Sequence, residues 1–534
     1  MRFSRLKYFV VGGTLALLLL CTASRAQTPV LDSTFGTNGV TLIDFNTNFA
    51  DEARTMLIQK DGKILIGGVS MVPDLTYQYS LAMARLNTDG SFDNTFGTGG
   101  KVSIHWSFSN DLEDMTIDSS GRILASGSEV VKTDFSEYHP VIYRFHSDGT
   151  PDSSFGMNGR KVQDYDTSSN GNAYNVFIGA KGRIYGVGSS SKHSSSVDPG
   201  TGFGAFALDT NGALDTSYHH TGIATIPKAI GPVSAQFGFG GKIFMASVTA
   251  RKNLGDSSAV VFARLNPDGT PDSRLDSEGV VQLPFWVANN EYTNKVILTD
   301  PVASHFIFAF NSNRENDSLH RRTTLVRWNN QFGAVDPTFG TGGSVNIEGA
   351  STNEVFGCIY DTASKKIYTA GNAISGPNEL GLVLRLNQNG SIDTSFGNQG
   401  AFVAPRGATS GATHFVKIIL TKNNGFYVLG QDDSTRGDDM FIAKYEMPVA
   451  SVKRSGEISL LNLYPNPAST ALTIESTGGE NTISISDELG REIATFSLHE
   501  RTIHYDISHL ANGVYYCTAE TAAGKETKKF IVSR

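Results

Sequence analysis

Cysteine is almost missing from this chain: three in 534 residues, one of them, Cys21, inside an N-terminal apolar run. The other two, Cys358 and Cys517, fall in stretches of different character, so no disulfide framework exists and both read as small apolar side chains in strands. Charge is sparse too, at 18% of residues, and no basic excess is present, because the formal net charge is −8. An acidic chain is a poor candidate for nucleic acid. Long runs of Ala, Leu, Glu and Lys are scarce. Short Val, Ile, Phe and Tyr runs between Gly, Asn and Asp are plentiful, and with 56 glycines they point to an all-β chain with many turns.

Enzyme signatures are absent as well. There is no His-Glu-x-x-His, no Gly-x-Ser-x-Gly and no phosphate loop, since Gly100-Lys101 is followed by Val102. An aspartate box of the sialidase type needs one residue between Asp and Gly, whereas Asp89 and Gly90 are adjacent. The twelve histidines are dispersed, and His219-His220 have no neighbouring cysteine or acid cluster with which to hold zinc. No residue is therefore assigned as catalytic, cofactor-binding or metal-ligating.

The chain starts with Arg2, Arg5 and Lys7, an apolar run from Tyr8 to Leu20, and Ser24-Arg25-Ala26. That is the layout of a secretory signal peptide over residues 1–26, with a run too short to span a membrane well. A lipoprotein signal at Cys21 fits less well, because Leu20 stands where a small residue belongs. Cleavage removes four basic residues and no acids, taking the formal charge from −8 to −12. The expected product is secreted or held at the cell surface, and is not an integral membrane protein.

Self-similarity organises most of the remaining chain. The stretch Arg85–Gly100, RLNTDGSFDNTFGTGG, recurs, with its aspartate at Asp32, Asp93, Asp152, Asp215, Asp272, Asp336 and Asp393. The spacings of 61, 59, 63, 57, 64 and 57 all lie near sixty. A glycine follows at Gly39, Gly100, Gly159, Gly222, Gly279, Gly343 and Gly400, even where Tyr218 or Leu275 replaces the phenylalanine. The second copy shows four strand-like runs, Lys101–Trp106, Asp111–Asp118, Arg122–Ser126 and Val141–His146. Four strands per unit at a fixed period read as propeller blades.

The ends argue for a closed ring. The first unit opens on the Asp-x-x-Phe-Gly loop without its Arg-Leu-Asn strand, and the last stops at Phe441–Tyr445 without a loop, so the two halves complete one unit and Lys444 stands near Asp32. The expected fold is a seven-bladed β-propeller over residues 27–446, a linker over 447–459 and a small β-sandwich over 460–534.

With Arg-Leu-Asn-x-Asp-Gly and Asp-x-x-Phe-Gly elements recurring, and departures at Ala207 and at Asn329–Gly333, residues Leu31 to Glu446 resemble the delta-60 repeat of bacteria, which implies no particular activity. Arg85 with Asp93 reads as an ion pair repeated blade by blade, and Asp89-Gly90 as a turn needing positive φ. Asp215, opposite Ala207, must then find another donor. Calcium is the one cofactor the acidic turn Asn87-Thr-Asp89-Gly90 suggests, but a cation at Arg85, where the first ligand belongs, opposes it.

After Tyr445 the pattern changes. Tyr464-Pro-Asn-Pro467, Asp487-Glu-Leu-Gly490-Arg491, Leu510-Ala-Asn-Gly513-Val514-Tyr515 and Lys528-Lys529-Phe530-Ile531-Val532 come in the order found in the type A sorting domain of the type IX secretion system of Bacteroidota, which residues 460–534 resemble. The resemblance implies that the secretion machinery is a partner of this segment and that the chain is delivered to the outer surface. The functional expectation is a binding module for a glycan, a protein or another envelope component, acting through the long insertions Ser70–Ser80, Ser189–Gly204 and Asn311–Arg322. The alternative is a carbohydrate-active hydrolase or lyase with acids around the propeller channel.

Overall fold

The computed structural model describes residues 27–448 and 461–534, apart from short internal stretches of which 193–200, 250–257, 288–296 and 405–411 are the longest. The expected signal peptide at 1–26 and nearly all of the expected linker at 447–459 lie outside the described residues. The chain divides into two compact units, Met1–Pro448 and Val449–Arg534.

In the first unit each sheet is an antiparallel meander. Sheet one runs Asp51–Ile58, Ile64–Met71, Tyr79–Leu86 and Lys101–Ile104, and six further sheets repeat this order among the described residues. The sequence repeat is out of phase with the sheets. Lys101–Ile104 pairs with Tyr79–Leu86, so it is the fourth strand of sheet one and not, as the repeat suggested, the opening of the next unit. The phase shift explains the chain ends. Val40–Ile43, together with Val30–Leu31, pairs with Gly437–Glu446 and completes the seventh sheet, whose other strands are Ala412–Leu420 and Phe426–Ser434.

The first strands of consecutive sheets touch one another in a closed cycle, from sheet one through sheet seven and back. The apolar cores lie between sheets rather than within them. Phe35, Ile43, Met56, Ile66, Leu429 and Ile442, for example, join sheets seven and one. Both faces of a sheet are therefore covered, which is why Ile64–Met71 is buried along nearly its whole length instead of on alternate residues. The aromatic of each Asp-x-x-Phe-Gly loop is a wedge in these seams: Phe35, Phe96, Phe155, Tyr218, Phe339 and Phe396 are all fully buried. Each such wedge contributes about 1.5–3 kcal/mol of burial.

The second unit has a three-stranded sheet, Leu461–Tyr464, Ala471–Ser476 and Thr502–Asp506, and a four-stranded sheet, Asn481–Asp487, Glu492–Leu498, Gly513–Thr521 and Gly524–Val532. Leu472 and Ile474 from one sheet meet Ile483, Ile485 and Phe530 from the other in a shared core, which makes the pair a sandwich. Asn466 of the Tyr-Pro-Asn-Pro motif fastens the last strand. Its side chain accepts from the Ile531 N–H at 2.9 Å and donates to the Lys529 carbonyl at 3.1 Å.

Candidate functional site

The repeated arginines and aspartates form clamps. Arg144 Nε lies 2.8 Å from Asp152 Oδ2, with the two side chains 1% and 4% exposed. Arg85 with Asp93, Arg264 with Asp272, Arg327 with Asp336 and Arg385 with Asp393 repeat the contact at 2.7–2.9 Å. The guanidinium also lies over the wedge aromatic, 4.5 Å from the Phe155 ring centre for Arg144. It reaches the next sheet as well. Arg144 donates to the Thr210 carbonyl, Arg85 to that of Ser147, and Arg327 to that of Gln388.

The loop glycines add main-chain bonds across the same seams, from the Gly97 N–H to the Asp148 carbonyl and from Gly156 to Asn211. Gly97, at φ +53°, has the Lys101 carbonyl 2.1 Å from where a Cβ would stand. His219 takes that place in sheet three at φ +48° and keeps the bond across the seam to Asp268.

Sequence reasoning missed a second cation on Asp93, Asp272 and Asp393. The residue after the first hairpin, Lys63, Lys242 or Lys366, reaches Asp93, Asp272 or Asp393 at 2.5–2.9 Å. In sheet three the corresponding Arg183 meets Asp215 at 2.6 Å, so the donor expected in place of Ala207 is there. The signal was a basic residue following Gly62, Gly121, Gly182 and Gly241. Lys444 holds Asp32 at 2.6 Å at the ring's closure, and that bond pulls the Asp32 carboxyl down to about 2. In the turn, Asp89 accepts from the Ser91 N–H and hydroxyl at 2.9 and 2.7 Å, and Gly90 has φ +84°.

All clamps sit where the first strand passes to the second and the third to the fourth. Antiparallel order puts the remaining connections at the opposite end of each sheet. The insertions Ser70–Ser80, Ser189–Gly204 and Asn311–Arg322 are second-to-third connections and lie at that opposite end; their tips, 74, 76–77, 193–200 and 315–316, lie outside the described residues.

The first strands line a channel of about 500 Å³. Four of them carry a β-bulge, while the first strand of sheet five, Ile297–Val302, slips near its end, between Thr299 and Val302. Register slips between Ala53 and Thr55, Ala173 and Asn175, Val355 and Gly357, and Phe415 and Lys417, leaving Arg54, Tyr174, Phe356 and Val416 as extra residues turned toward the channel. Glu113 and Val233 occupy the same place in sheets two and four and line the same channel. The reason is local. A bare glycine on the second strand makes room for the bulged carbonyl, as at Gly68, Gly188 and Gly371, where a Cβ would fall 2.0, 1.7 and 1.9 Å from the carbonyl oxygens of Glu52, Asn172 and Glu354.

Just inside the bulges runs a polar belt. Lys417 Nζ donates to the Thr55 hydroxyl at 2.7 Å, Thr55 to Asp114 at 3.2 Å, and Asn175 to Asp114 at 3.4 Å, while the Ala235 N–H donates to Asn175 at 2.8 Å. The belt ties five sheets together. Outside it, Arg54 meets Glu52 at 2.7 Å and lies 3.9 Å from Asp111. Burial opposes the Arg54 charge, but the carboxylates of Asp111, Glu113 and Glu52 outweigh it and hold the guanidinium above its ordinary pKa. Burial, with Glu113 adding to it, raises the Tyr174 hydroxyl. Cys358, expected to be a buried core side chain, lines this channel and is only partly buried, because the bulge beside it opens the strand; Cys517 is buried.

Residues 462–533 match the secretion system C-terminal sorting domain. Residues 59–96, 119–155, 241–274 and 362–396 match a β-propeller domain of unknown function, DUF5122. This is an exported β-propeller protein. The sorting domain directs it to the cell surface or the extracellular space and implies contact with the type IX secretion machinery. Each matched propeller segment runs from the first hairpin to the Asp-x-x-Phe loop or its edge, so the family pattern covers the clamps and leaves out the channel-lining strands.

No curated protein matches the chain. Among solved structures, PorZ, a surface component of the type IX secretion system of Porphyromonas gingivalis, is 11% identical over 91% of this chain and 60% of its own, with a TM-score of 0.36. The chain thus spans three fifths of PorZ's length. The polysaccharide lyase Uly1 is 12% identical over 80% of this chain and 98% of its own, with a TM-score of 0.41. Likeness at this level says nothing about a ligand. Among the described residues no helix is long and apolar enough to cross a membrane.

Proposed function

We propose that the propeller is a surface-delivered binding module whose recognition site is the channel mouth at the end opposite the clamps. One observation carries this reading: a single backbone irregularity recurs from sheet to sheet and presents side chains of differing chemistry, namely Arg54, Glu113, Tyr174, Val233, Phe356 and Val416. Fixed geometry with variable chemistry is what a recognition surface needs, and bulges commonly re-aim side chains at such places. Cation, carboxylate and aromatic faces within one ring suit a neutral polar ligand such as a glycan, or a protein segment of mixed charge.

The test is retention of envelope polysaccharides and surface proteins on the immobilised full chain, compared with the Arg54→Gln and Phe356→Ala variants. Retention that both variants lose supports the reading, and retention indifferent to both overturns it.

A carbohydrate-active hydrolase or lyase is the second reading. It is favoured by Glu52, Asp111, Glu113 and Asp114 gathering in one mouth beside Tyr174 and Phe356. The same screen, read for cleavage, separates the two: product formation abolished by Glu113→Gln replaces the binding module with the enzyme.

A further inference from the structure

The seam between sheets five and six opens into a cavity at the clamp end. Sheet five contributes its second and third strands, His305–Arg314 and Asp317–Asn329; sheet six contributes its first strand, Thr352–Asp361, and the turn that follows its third, Asn378–Asn387. The cavity holds about 650 Å³, a size that suits a small ligand. His305, Arg327 and Thr338 line one wall, and Tyr360, Gln388 and Asn389 the other.

Three of these residues depart from the repeat, and the departures meet here. His305 stands where other sheets place Lys63, Arg122, Arg183, Lys242 or Lys366, and its shorter side chain leaves space beside the clamp. Tyr360 takes the strand position of Ile58, Ile117, Ile178, Phe237 and Leu420, and brings a hydroxyl to a place that is otherwise apolar. Gln388 is second in a turn that has Thr88, Ser147, Thr210 or Pro267 at that point. Arg327 registers the opening: its side chain is 14% exposed, against 1–9% for Arg85, Arg144, Arg264 and Arg385.

The lining is polar without a net fixed charge. Arg327 Nε lies 2.9 Å from Asp336 Oδ2, so those two charges cancel, and His305 Nε2 stands 3.2 Å from the same oxygen. The rest of the guanidinium is committed to the Thr338 hydroxyl at 2.9 Å and the Gln388 carbonyl at 2.7 Å, which leaves no unpaired cation to attract an anion. Asn389 Oδ1 accepts from the Ser391 N–H and hydroxyl, and its amide N–H groups remain to donate elsewhere. The exposed Gln388 amide offers both a donor and an acceptor, and the Tyr360 ring offers a flat apolar face beside Ile307.

We propose that this cavity binds an uncharged mono- or disaccharide, stacked on Tyr360 and held by Gln388 and Asn389. A sugar ring presents C–H faces to an aromatic, and each of its hydroxyls both donates and accepts, so it matches a flat ring edged by neutral amides. The site lies at the other end of the sheets from the channel mouth and does not rest on the reading of that mouth.

The test titrates the full chain with maltose, cellobiose and mannobiose in a calorimeter, with glucuronate as the charged probe. Saturable heat is expected from at least one neutral disaccharide and none from glucuronate. Gln388→Ala and Tyr360→Ala are each expected to weaken binding about tenfold or more, while Ser147→Ala, at the same turn position in sheet two, leaves it unchanged. Gln388 is exposed, so its truncation keeps the fold and decides the matter if Tyr360→Ala fails to fold. Absence of saturable heat with all three neutral disaccharides overturns the proposal. So does tighter binding of glucuronate, or binding that both pocket variants leave unchanged. Heat lost in Arg54→Gln but kept in Gln388→Ala and Tyr360→Ala assigns the sugar to the mouth, which overturns this site and leaves the reading of the mouth standing.

Discussion

The two ends of the propeller sheets use charge in opposite ways. At the clamp end Arg144 and Asp152 are 1% and 4% exposed, their partners recur in sheet after sheet, and each guanidinium is spent on its own sheet, on an aromatic and on the next sheet. At the mouth Arg54 and Glu52 are 29% and 27% exposed, the bulge residues range from cation and carboxylate to aromatic and valine, and the channel admits solvent to them. Buried pairs are costly to break because removal of one partner strands the other; exposed pairs contribute little. The clamps and the proposed recognition mouth thus lie at opposite ends of the same strands, such as the eight-residue Asp51–Ile58.

The largest effect should come from breaking a clamp. Arg144→Ala leaves Asp152 buried with Arg122, 3.8 Å away, and His146, 3.9 Å away, as its remaining basic neighbours. A loss of about 3–5 kcal/mol in denaturant unfolding is expected. A loss below about 1 kcal/mol would mean that the clamps are not what holds adjacent sheets.

Next in size is the bulge itself. Gly188→Ala puts a Cβ 1.7 Å from the Asn172 carbonyl and must flatten or shift the bulge that presents Tyr174. Overpacking of this kind costs about 1–3 kcal/mol. Thermal unfolding should show that loss, together with weaker ligand retention, so this variant couples the two ends where Arg144→Ala does not.

The ring's closure gives a pH test. The Lys444 bond holds the Asp32 carboxyl at about 2 against an ordinary 3.8. A depressed carboxylate contributes stability that is present above the unfolded value and disappears as pH falls through the folded one. The closure should therefore lose about 2 kcal/mol between pH 4 and pH 2. Lys444→Ala should lose much of that amount at pH 7 and show a shallower acid slope, though Thr34 still donates to Asp32. An unchanged slope would show that the closing pair contributes nothing.

Legibility in the sequence obeys the same division. A clamp needs arginine, aspartate, a wedge aromatic and a turn glycine at fixed offsets, so Arg85, Asp93, Phe96 and Gly100 recur as letters and the ring could be read from them. The sorting sandwich was legible for a similar reason: Asn466 and the Lys528–Val532 strand are bound to each other. The mouth is defined by backbone register, and Arg54, Tyr174 and Phe356 share a place but no chemistry, so no letter repeats. The trace it leaves is on the neighbouring strand, in Gly68, Gly127, Gly188, Gly371 and Gly430, which looked like ordinary strand glycines.

The smallest effect on stability should come from Arg54→Gln. Its ion pair with Glu52 is solvated, which limits the direct loss to about 1 kcal/mol or less, and the belt of Lys417, Thr55, Asp114 and Asn175 beneath it keeps the first strands in place. The same change removes the cation around which Glu52, Asp111 and Glu113 are arranged, so ligand retention should fall sharply while the unfolding curve hardly moves. Stability and retention falling together would place Arg54 among the fasteners after all. A stable protein with undiminished retention would leave the mouth without a role and send the search to the insertions around it.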